Sequence, residues 1–410
     1  MKIGILDIGS NKISCFIANL EKENKPKIIG IGYRSSNGIK SGNITDMELA
    51  QNSIISTIKD AEKMSGETIE EFVVNFSSDT IRSNLINLNV SLDGNEITSE
   101  DLKNIDKKVN NIKFGKDRIL IHKIITSYSI DNQRGVTKPI GIKGNQLLAG
   151  FNLVTASKIE LDNFVKCLSV CRIKISDVVI SPYAAGLGCL TDDDFFIGST
   201  VIDIGAGNTS IATFFDNKLI YTNIFKLGGL DISSDIARGL STPVSEADRL
   251  KILYGSDLNT NEENSLIDVP LTGNTNIVET HKVSKKVLNN IIISRIEEIF
   301  EIVKSKIYKS ILKKNLTNNI VLTGNSSQLK GICDLASRYF GTKVRLGKPI
   351  DIKGLAENTS GPGFSVSAGL IKYKILKMQE KNLNKINEKS LIENSLIWRK
   401  FGTWVKESFF

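Results

Sequence analysis

A short pattern that occurs twice restricts this chain's fold more than any other feature. The run Ile3-Gly4-Ile5-Leu6-Asp7-Ile8-Gly9-Ser10-Asn11-Lys12 is echoed roughly two hundred positions later by Val201-Ile202-Asp203-Ile204-Gly205-Ala206-Gly207-Asn208-Thr209, which points to a duplicated architecture. Each copy is an apolar strand ending in Asp-Ile-Gly, then a polar turn and a second strand, 13–20 in one case and 210–215 in the other. Such a unit is a hairpin. Glycine tolerates positive φ and lets a backbone approach a ligand, so N–H groups around Gly9, Gly205 and Gly207 can point at a phosphate. Ser10, Asn11, Asn208 and Thr209 add side-chain donors. Asp7 and Asp203 are expected to face each other across a cleft and to hold Mg²⁺ through its waters, with no direct metal ligand. One Asp-Ile-Gly alone would be an ordinary turn; two suggest a nucleotide between two lobes. No Gly-x-x-x-x-Gly-Lys-[Ser/Thr] loop is present, which excludes a P-loop protein.

A third element fits the same cleft. Ile320-Val321-Leu322-Thr323-Gly324-Asn325-Ser326-Ser327 reads as a buried strand entering a glycine turn, followed by an amphipathic helix over 329–340. Gly324, Asn325 and Ser326 would place backbone where an adenine could lie flat. Ser245 is expected to cap a helix that Gly255 closes. On that helix Asp248 and Lys251 share a face, either reaching a ribose or forming a surface ion pair.

With 410 residues, two to four domains or subdomains are expected. The net charge of +8 comes from lysines scattered along the chain without a long basic run, so nucleic-acid binding is not indicated. Five cysteines without a Cys-x-x-Cys pair, and only two histidines, argue against metal ligation and disulfides. The first strand meets Asp7 too soon for a signal-peptide core, and no run reaches the roughly 18 apolar residues that span a bilayer. The expectation is a protein neither exported nor transmembrane.

The end of the chain has its own character. From Lys377 to about Ser390 it is polar and reads as a solvated linker. Beyond it, Ile397, Trp398, Phe401, Trp404, Val405 and Phe409 recur at helical spacing, with Arg399, Lys400, Thr403 and Lys406 on the other side. That is the pattern of an in-plane interfacial helix meeting anionic lipid; the alternative is a terminal helix packed on its own domain.

Together these segments resemble the actin, Hsp70 and sugar-kinase superfamily, with Asp7 to Lys12 similar to its first phosphate motif, Asp203 to Thr209 to its second, and Gly324 to Ser326 to its adenosine motif. Ala184 to Leu187 and Pro362 to Gly369 look like its two connecting helices. Within it the chain resembles the FtsA family of bacterial cell-division proteins over nearly its whole length. Residues 84–161, including Val90-Ser91-Leu92-Asp93-Gly94-Asn95-Glu96-Ile97-Thr98 and His122-Lys123-Ile124-Ile125-Thr126-Ser127-Tyr128-Ser129-Ile130-Asp131, are similar to that family's extra 1C subdomain. Leu227-Gly228-Gly229-Leu230-Asp231-Ile232 and the stretch from Thr242-Pro243 to Gly255 look like FtsA too. One departure stands out: the adenosine motif usually has two adjacent glycines, and here Gly324 is followed by Asn325.

The resemblance implies a duplicated two-lobe α/β fold with an SHS2-type 1C insert and a C-terminal amphipathic helix. Lobe 1A comprises 1–83 and 162–195 around subdomain 1C at 84–161. Lobe 2A comprises 196–226 and 313–360 around lobe 2B at 227–312, and a return helix at 361–376, a linker at 377–390 and a membrane helix at 391–410 follow. It implies ATP and Mg²⁺ as ligands and filaments formed by self-association. It also implies capture of the FtsZ C-terminal peptide and recruitment of other division proteins on the cytoplasmic face of the inner membrane at the division site. A long helix from about 284 to 312 lies where the family carries its FtsZ-binding face; Arg295 is the matching basic residue, with Lys285 and Lys286 further candidates and plain surface charge their alternative reading. No catalytic carboxylate is identifiable beyond the two aspartates, so slow ATPase activity at most is expected. The rival readings on the same fold are an exopolyphosphatase-type phosphohydrolase and a scaffold of pilus assembly.

Overall fold

The computed structural model describes residues 1–20, 25–255, 265–272, 280–309 and 319–390. The chain begins with an antiparallel meander, β1 (Lys2–Ile8), β2 (Lys12–Leu20) and β3 (Pro26–Ser35). A small hairpin, β4 (Ile39–Lys40) and β5 (Asn43–Ile44), leads into α1 (Met47–Ser65) and β6 (Glu71–Phe76). The chain then leaves this sheet to build β7 (Arg82–Ser91), α2 (Ser99–Asn110), β8 (Arg118–Ile130), β9 (Gln133–Arg134) and β10 (Gln146–Ser157). It returns through α3 (Lys158–Val170) and β11 (Lys174–Ile180). The first sheet has the order β11-β6-β1-β2-β3, with β1, β6 and β11 parallel.

The second half repeats this plan. After α4 (Ser181–Cys189) and α5 (Asp192–Ile197) come β12 (Ser199–Ile204), β13 (Thr209–Phe215) and β14 (Lys218–Phe225). Next are α6 (Gly229–Leu240), α7 (Val244–Tyr254), β15 (Leu266–Pro270), β16 (Thr280–Ser284) and α8 (Lys285–Lys309). Then β17 (Ile320–Thr323), α9 (Ile332–Phe340), β18 (Val344–Leu346) and α10 (Ser365–Ser390) complete the described chain. The second sheet, β14-β13-β12-β17-β18, has the same connectivity as the first. Even the registers agree: Asp7 pairs with Ser14 and Asp203 with Ser210. The duplication legible in the sequence is thus a duplication of topology.

Apolar residues account for this arrangement. β1 and β12 are central strands covered on both faces, and Ile3, Ile5, Leu6, Val201, Ile202 and Ile204 are all buried, as the near-continuous apolar runs require. The inserted sheet β7-β10-β8-β9 keeps a separate core in which Ile105 and Val109 of α2 pack on Leu147, Ala149, Phe151 and Leu153 of β10. The small hydrophobes include Cys15, Cys167 and Cys189, all buried thiols.

Helices α4 and α10 cross between the lobes. Their contact is backbone on backbone: a Cβ on Gly369 would stand 1.7 Å from the Ala184 carbonyl oxygen.

Three local expectations are corrected. Ser245 does not cap α7, which starts at Val244 after Pro243, whose fixed φ is pre-set for a helix start; Gly255 does close it, donating to the Lys251 carbonyl at 3.1 Å. The helix expected over 329–340 starts only at Ile332, because a 3₁₀ turn at Asn325–Gln328 and Gly331 at φ 82° precede α9. The stretch 377–390, expected as a linker, continues α10 to Ser390. It lacks Gly and Pro, and its Lys, Glu and Gln favour helix, so its polar composition did not mean loss of structure. The segment 391–410, with Ile397, Trp398, Phe401, Trp404, Val405 and Phe409, lies outside the described residues. Among the described residues no helix is long and apolar enough to cross a membrane.

Gly369→Val is expected to lower unfolding stability by about 1–3 kcal/mol, because the added carbons meet backbone that cannot yield. A urea titration checks this; an unchanged midpoint would mean that α4 and α10 are not held at this separation.

Candidate functional site

Both hairpin turns open on one cavity between the lobes. Its lining includes Asp7 and the Gly9–Lys12 turn from one side and Asp203, Gly205, Gly207 and Asn208 from the other, with Asn325 reaching in from the turn after β17. The turns close identically: Gly9 N donates to Lys12 O at 3.0 Å and Gly205 N to Asn208 O at 2.9 Å. Neither glycine stands at positive φ, contrary to expectation. They keep the turns narrow instead, since a Cβ would lie 2.8 Å from Lys12 O in the first and 3.1 Å from Asn208 O in the second.

The carboxylates are held in different ways. Asp7 is buried, its Oδ1 accepting from Asn75 Nδ2 at 3.0 Å and its Oδ2 from Ser367 Oγ at 2.8 Å. Asn75 also accepts from Ile8 N at 2.6 Å and donates to Ser181 Oγ at 3.0 Å, so β6, α4 and α10 together fix the Asp7 side chain. Desolvation raises the Asp7 carboxyl from its ordinary value, partly offset by Lys12. Asp203 is pushed up to about 7, by desolvation first and by the Asp7 charge second. Lys12 is lowered to about 8 by desolvation, against the pull of both aspartates. Its ammonium donates to Gly363 O at 2.8 Å and lies over the Phe364 ring, 3.2 Å from the centroid.

The other expected residues separate into those facing the cavity and those behind it. Ser10, Asn11 and Asn208 line it, and Asn208 Oδ1 and Ser210 Oγ are buried without a hydrogen-bond partner among the described residues. Thr209 does not: its hydroxyl is buried and donates to Leu227 O at 2.8 Å. Gly324, at φ 88°, approaches Asp203 so closely that a Cβ would lie 2.3 Å from Oδ1. Ser326 Oγ donates to Gly205 O at 3.0 Å. The Asn325 side chain accepts from Gln328 Nε2 at 2.9 Å and packs against Gly363.

Asp248 and Lys251 form the ion pair, 2.6 Å apart, and both bond Ser233 Oγ at 2.8 Å. Lys251 also reaches Gly229 O at 3.0 Å, and Gly229 N donates to Gly205 O, so the pair braces the second phosphate-side turn from behind. Arg295 is engaged by Asp235 at 2.5 Å and by Glu298. Lys285 and Lys286 are the first two residues of α8.

Sequence reasoning missed Asn75, Ser181, Ser367 and Gly42, which bind Asp7, brace Asn75 or line the cavity. One signal was available: Asn75 interrupts the apolar strand Phe72-Val73-Val74-Asn75-Phe76, and a buried amide needs partners.

Two topologically matched sheets around one acid-lined cleft, joined by crossing helices, define an actin-like two-lobed protein. Solved structures agree at the level of fold: the PilM–PilN type IV pilus biogenesis complex superposes with a TM-score of 0.63 at 16% identity, covering 92% of this chain and 99% of that one. MreB5 of Spiroplasma citri bound to ADP gives a TM-score of 0.55 at 15% identity, covering 96% and 99%. Sequence comparison is more specific. Residues 200–369 match the family described as cell division protein FtsA, and residues 79–155 match the SHS2 domain inserted in FtsA. The cell division protein FtsA of Agrobacterium fabrum is 33% identical over 419 residues, covering 99% of this chain and 95% of the relative. That of Escherichia coli K12 is 27% identical over 416 residues, covering 98% and 97%. The chain belongs to the FtsA family of cell-division proteins.

A carboxyl whose folded-state value is raised stabilises the fold below its ordinary value of 3.8, and that contribution is lost as the pH rises through about 7. Ligand-free Asp203→Asn protein should therefore gain stability over the parent as the pH climbs from about 4 to about 7, and the gain should level off above. Urea unfolding at several pH values checks this; a gain independent of pH would mean an unperturbed carboxylate.

Proposed function

We propose that this cleft binds ATP with Mg²⁺ and that the protein uses the bound nucleotide to assemble on the inner membrane and tether the FtsZ ring there. The reading is carried by one observation: Asp7 and Asp203, from two matched hairpins, meet at a single cavity that also receives Lys12. The donor set fits a magnesium triphosphate. Backbone turns at Gly9–Lys12 and Gly205–Asn208, with the hydroxyls of Ser10 and the otherwise unpartnered Ser210 and the side-chain N–H groups of Asn11 and Asn208, would hold phosphate oxygens. Asp7 and Asp203 would hold Mg²⁺ through its waters, and the cation would offset the charge of the two carboxylates and the phosphates. Gly324, Asn325 and Ser326 would flank the base. Because β1 and β12 belong to different lobes, a ligand bound by both turns favours the arrangement in which the lobes are together.

The remaining elements follow the family. An acidic or carboxylate-bearing FtsZ C-terminal peptide would meet α8 near Lys285, Lys286 and Arg295, where it would compete with Asp235 and Glu298 for the guanidinium. The tail around Trp398 and Trp404 would lie in an anionic lipid surface, and self-association into filaments would make many weak anchors act together. Other division proteins would be recruited to that assembly.

Asp203→Asn should weaken Mg²⁺–ATP binding by on the order of 10–100-fold while leaving the ligand-free fold intact, as measured by calorimetry. An unchanged affinity would remove Asp203 from the site. In liposome co-sedimentation, the full chain should carry FtsZ into the pellet and a chain ending at Ser390 should not. Equal pelleting by both would overturn the tether.

A further inference from the structure

The tip of the β4–β5 hairpin, where Gly42 lines the cavity, touches both phosphate-side turns. Ile39 pairs with Ile44 and Lys40 with Asn43, leaving a two-residue turn, Ser41–Gly42. Both residues have positive φ, 47° and 80°, as a type I′ turn requires. For Gly42 this costs little, and no other residue fits: a Cβ would lie 1.8 Å from Ser77 O. For Ser41 it is a strained conformation that an Asn or Gly would adopt more readily.

The contacts explain why the turn is aimed as it is. Gly42 N donates to Ser10 Oγ at 3.2 Å, which leaves the Ser10 hydroxyl hydrogen for an acceptor in the cleft. Ser41 Oγ donates to Gly207 O at 2.9 Å, across the interface to the other lobe. The hairpin base is fixed to the first lobe, with Ile39 buried, Thr45 and Asp46 N both donating to Gly38 O, and Asp46 capping α1. The turn is therefore a rigid finger of one lobe that hydrogen-bonds the phosphate-side turn of the other. Ser326, from the base-side element, bonds the Gly205 carbonyl of that same turn; Ser41 takes Gly207, toward its far end.

Resting on the nucleotide reading above, we propose that the Ser41–Gly42 turn is a latch that closes the terminal-phosphate end of the cleft, so that the protein distinguishes a nucleoside triphosphate from a diphosphate. Ser41 acts as a positioning residue. It holds Gly207 and Asn208 against Ser10, where the last phosphate is the group long enough to bridge the two turns. A diphosphate gains less from the closed turns, so the latch adds more to triphosphate affinity than to diphosphate affinity.

The test pairs two variants in the full-length protein. Ser41→Ala removes the hydroxyl and keeps the backbone strain; Ser41→Gly removes both and guards against a fold defect. Each should reduce the ratio of ATP to ADP affinity by roughly 3- to 10-fold, the range of one lost net hydrogen bond, with ADP affinity little changed. Hydrogen exchange without nucleotide gives the second readout: amides of 205–208 should exchange faster in both variants, while those of β12 and β13 keep their protection. An unchanged affinity ratio together with unchanged exchange overturns the latch, whereas a parent protein that binds neither nucleotide overturns the nucleotide reading itself. If only Ser41→Ala shows the effect, strain and not the hydroxyl is responsible, and the latch is likewise rejected.

Discussion

Two carboxylates and one ammonium, all drawn out of water into the same crevice, are the constraint around which this structure is arranged. Desolvation opposes the charged form of each group, and the aspartates also repel each other. A core built for stability alone would replace them with apolar side chains. Their retention puts an electrostatic cost on the empty cleft, and a divalent cation bound with a polyanion would relieve part of it.

The surrounding scaffold makes that cost tolerable. Asp7 is fixed by Asn75 and Ser367, so β6 and α10 carry its desolvation, and Asn75 ties in α4 through Ser181. Asp203 has Gly324 pressed close to it, in a backbone conformation that brings β17 and its turn to the floor of the cleft. The crossing helices therefore serve the site twice. They join the lobes through the Ala184–Gly369 contact, and they place Ser367 on the first carboxylate and Ser181 on the Asn75 that holds it.

What could be read from the sequence, and what could not, follows from how local each determinant is. The hairpins, their aspartates and the strand before Gly324 are written in contiguous residues, and the structure brings Asp7, Lys12, Asp203 and Asn208 to one cavity. Thr209 was misplaced because strand alternation, which decides which way a side chain points, begins at that residue; the register with Phe225 turns it toward Leu227. The Asp248–Lys251 pair was correctly put on one face of a helix, but only tertiary packing reveals that it braces Gly229. Asn75, Ser181 and Ser367 lie far from Asp7 in sequence, and no local pattern marks a polar residue as the partner of a distant carboxylate. The linker was misread because helix and solvated coil share a polar composition where nothing apolar has to be buried.

That last misreading changes how the lobes relate to the end of the chain. α10 begins beside Asp7, where Ser367 donates to the carboxylate, and runs without a break to Ser390. Midway, Lys374 and Lys377 both pair with the well-buried Asp177 of β11, fastening the helix to the first sheet. A flexible linker would let a terminal anchor move independently of the cleft. A continuous helix fixed at Ser367 and again at Asp177 instead sets the direction in which the chain leaves the first lobe. The course of α10 as far as Ser390 is thus set by the lobe that carries Asp7.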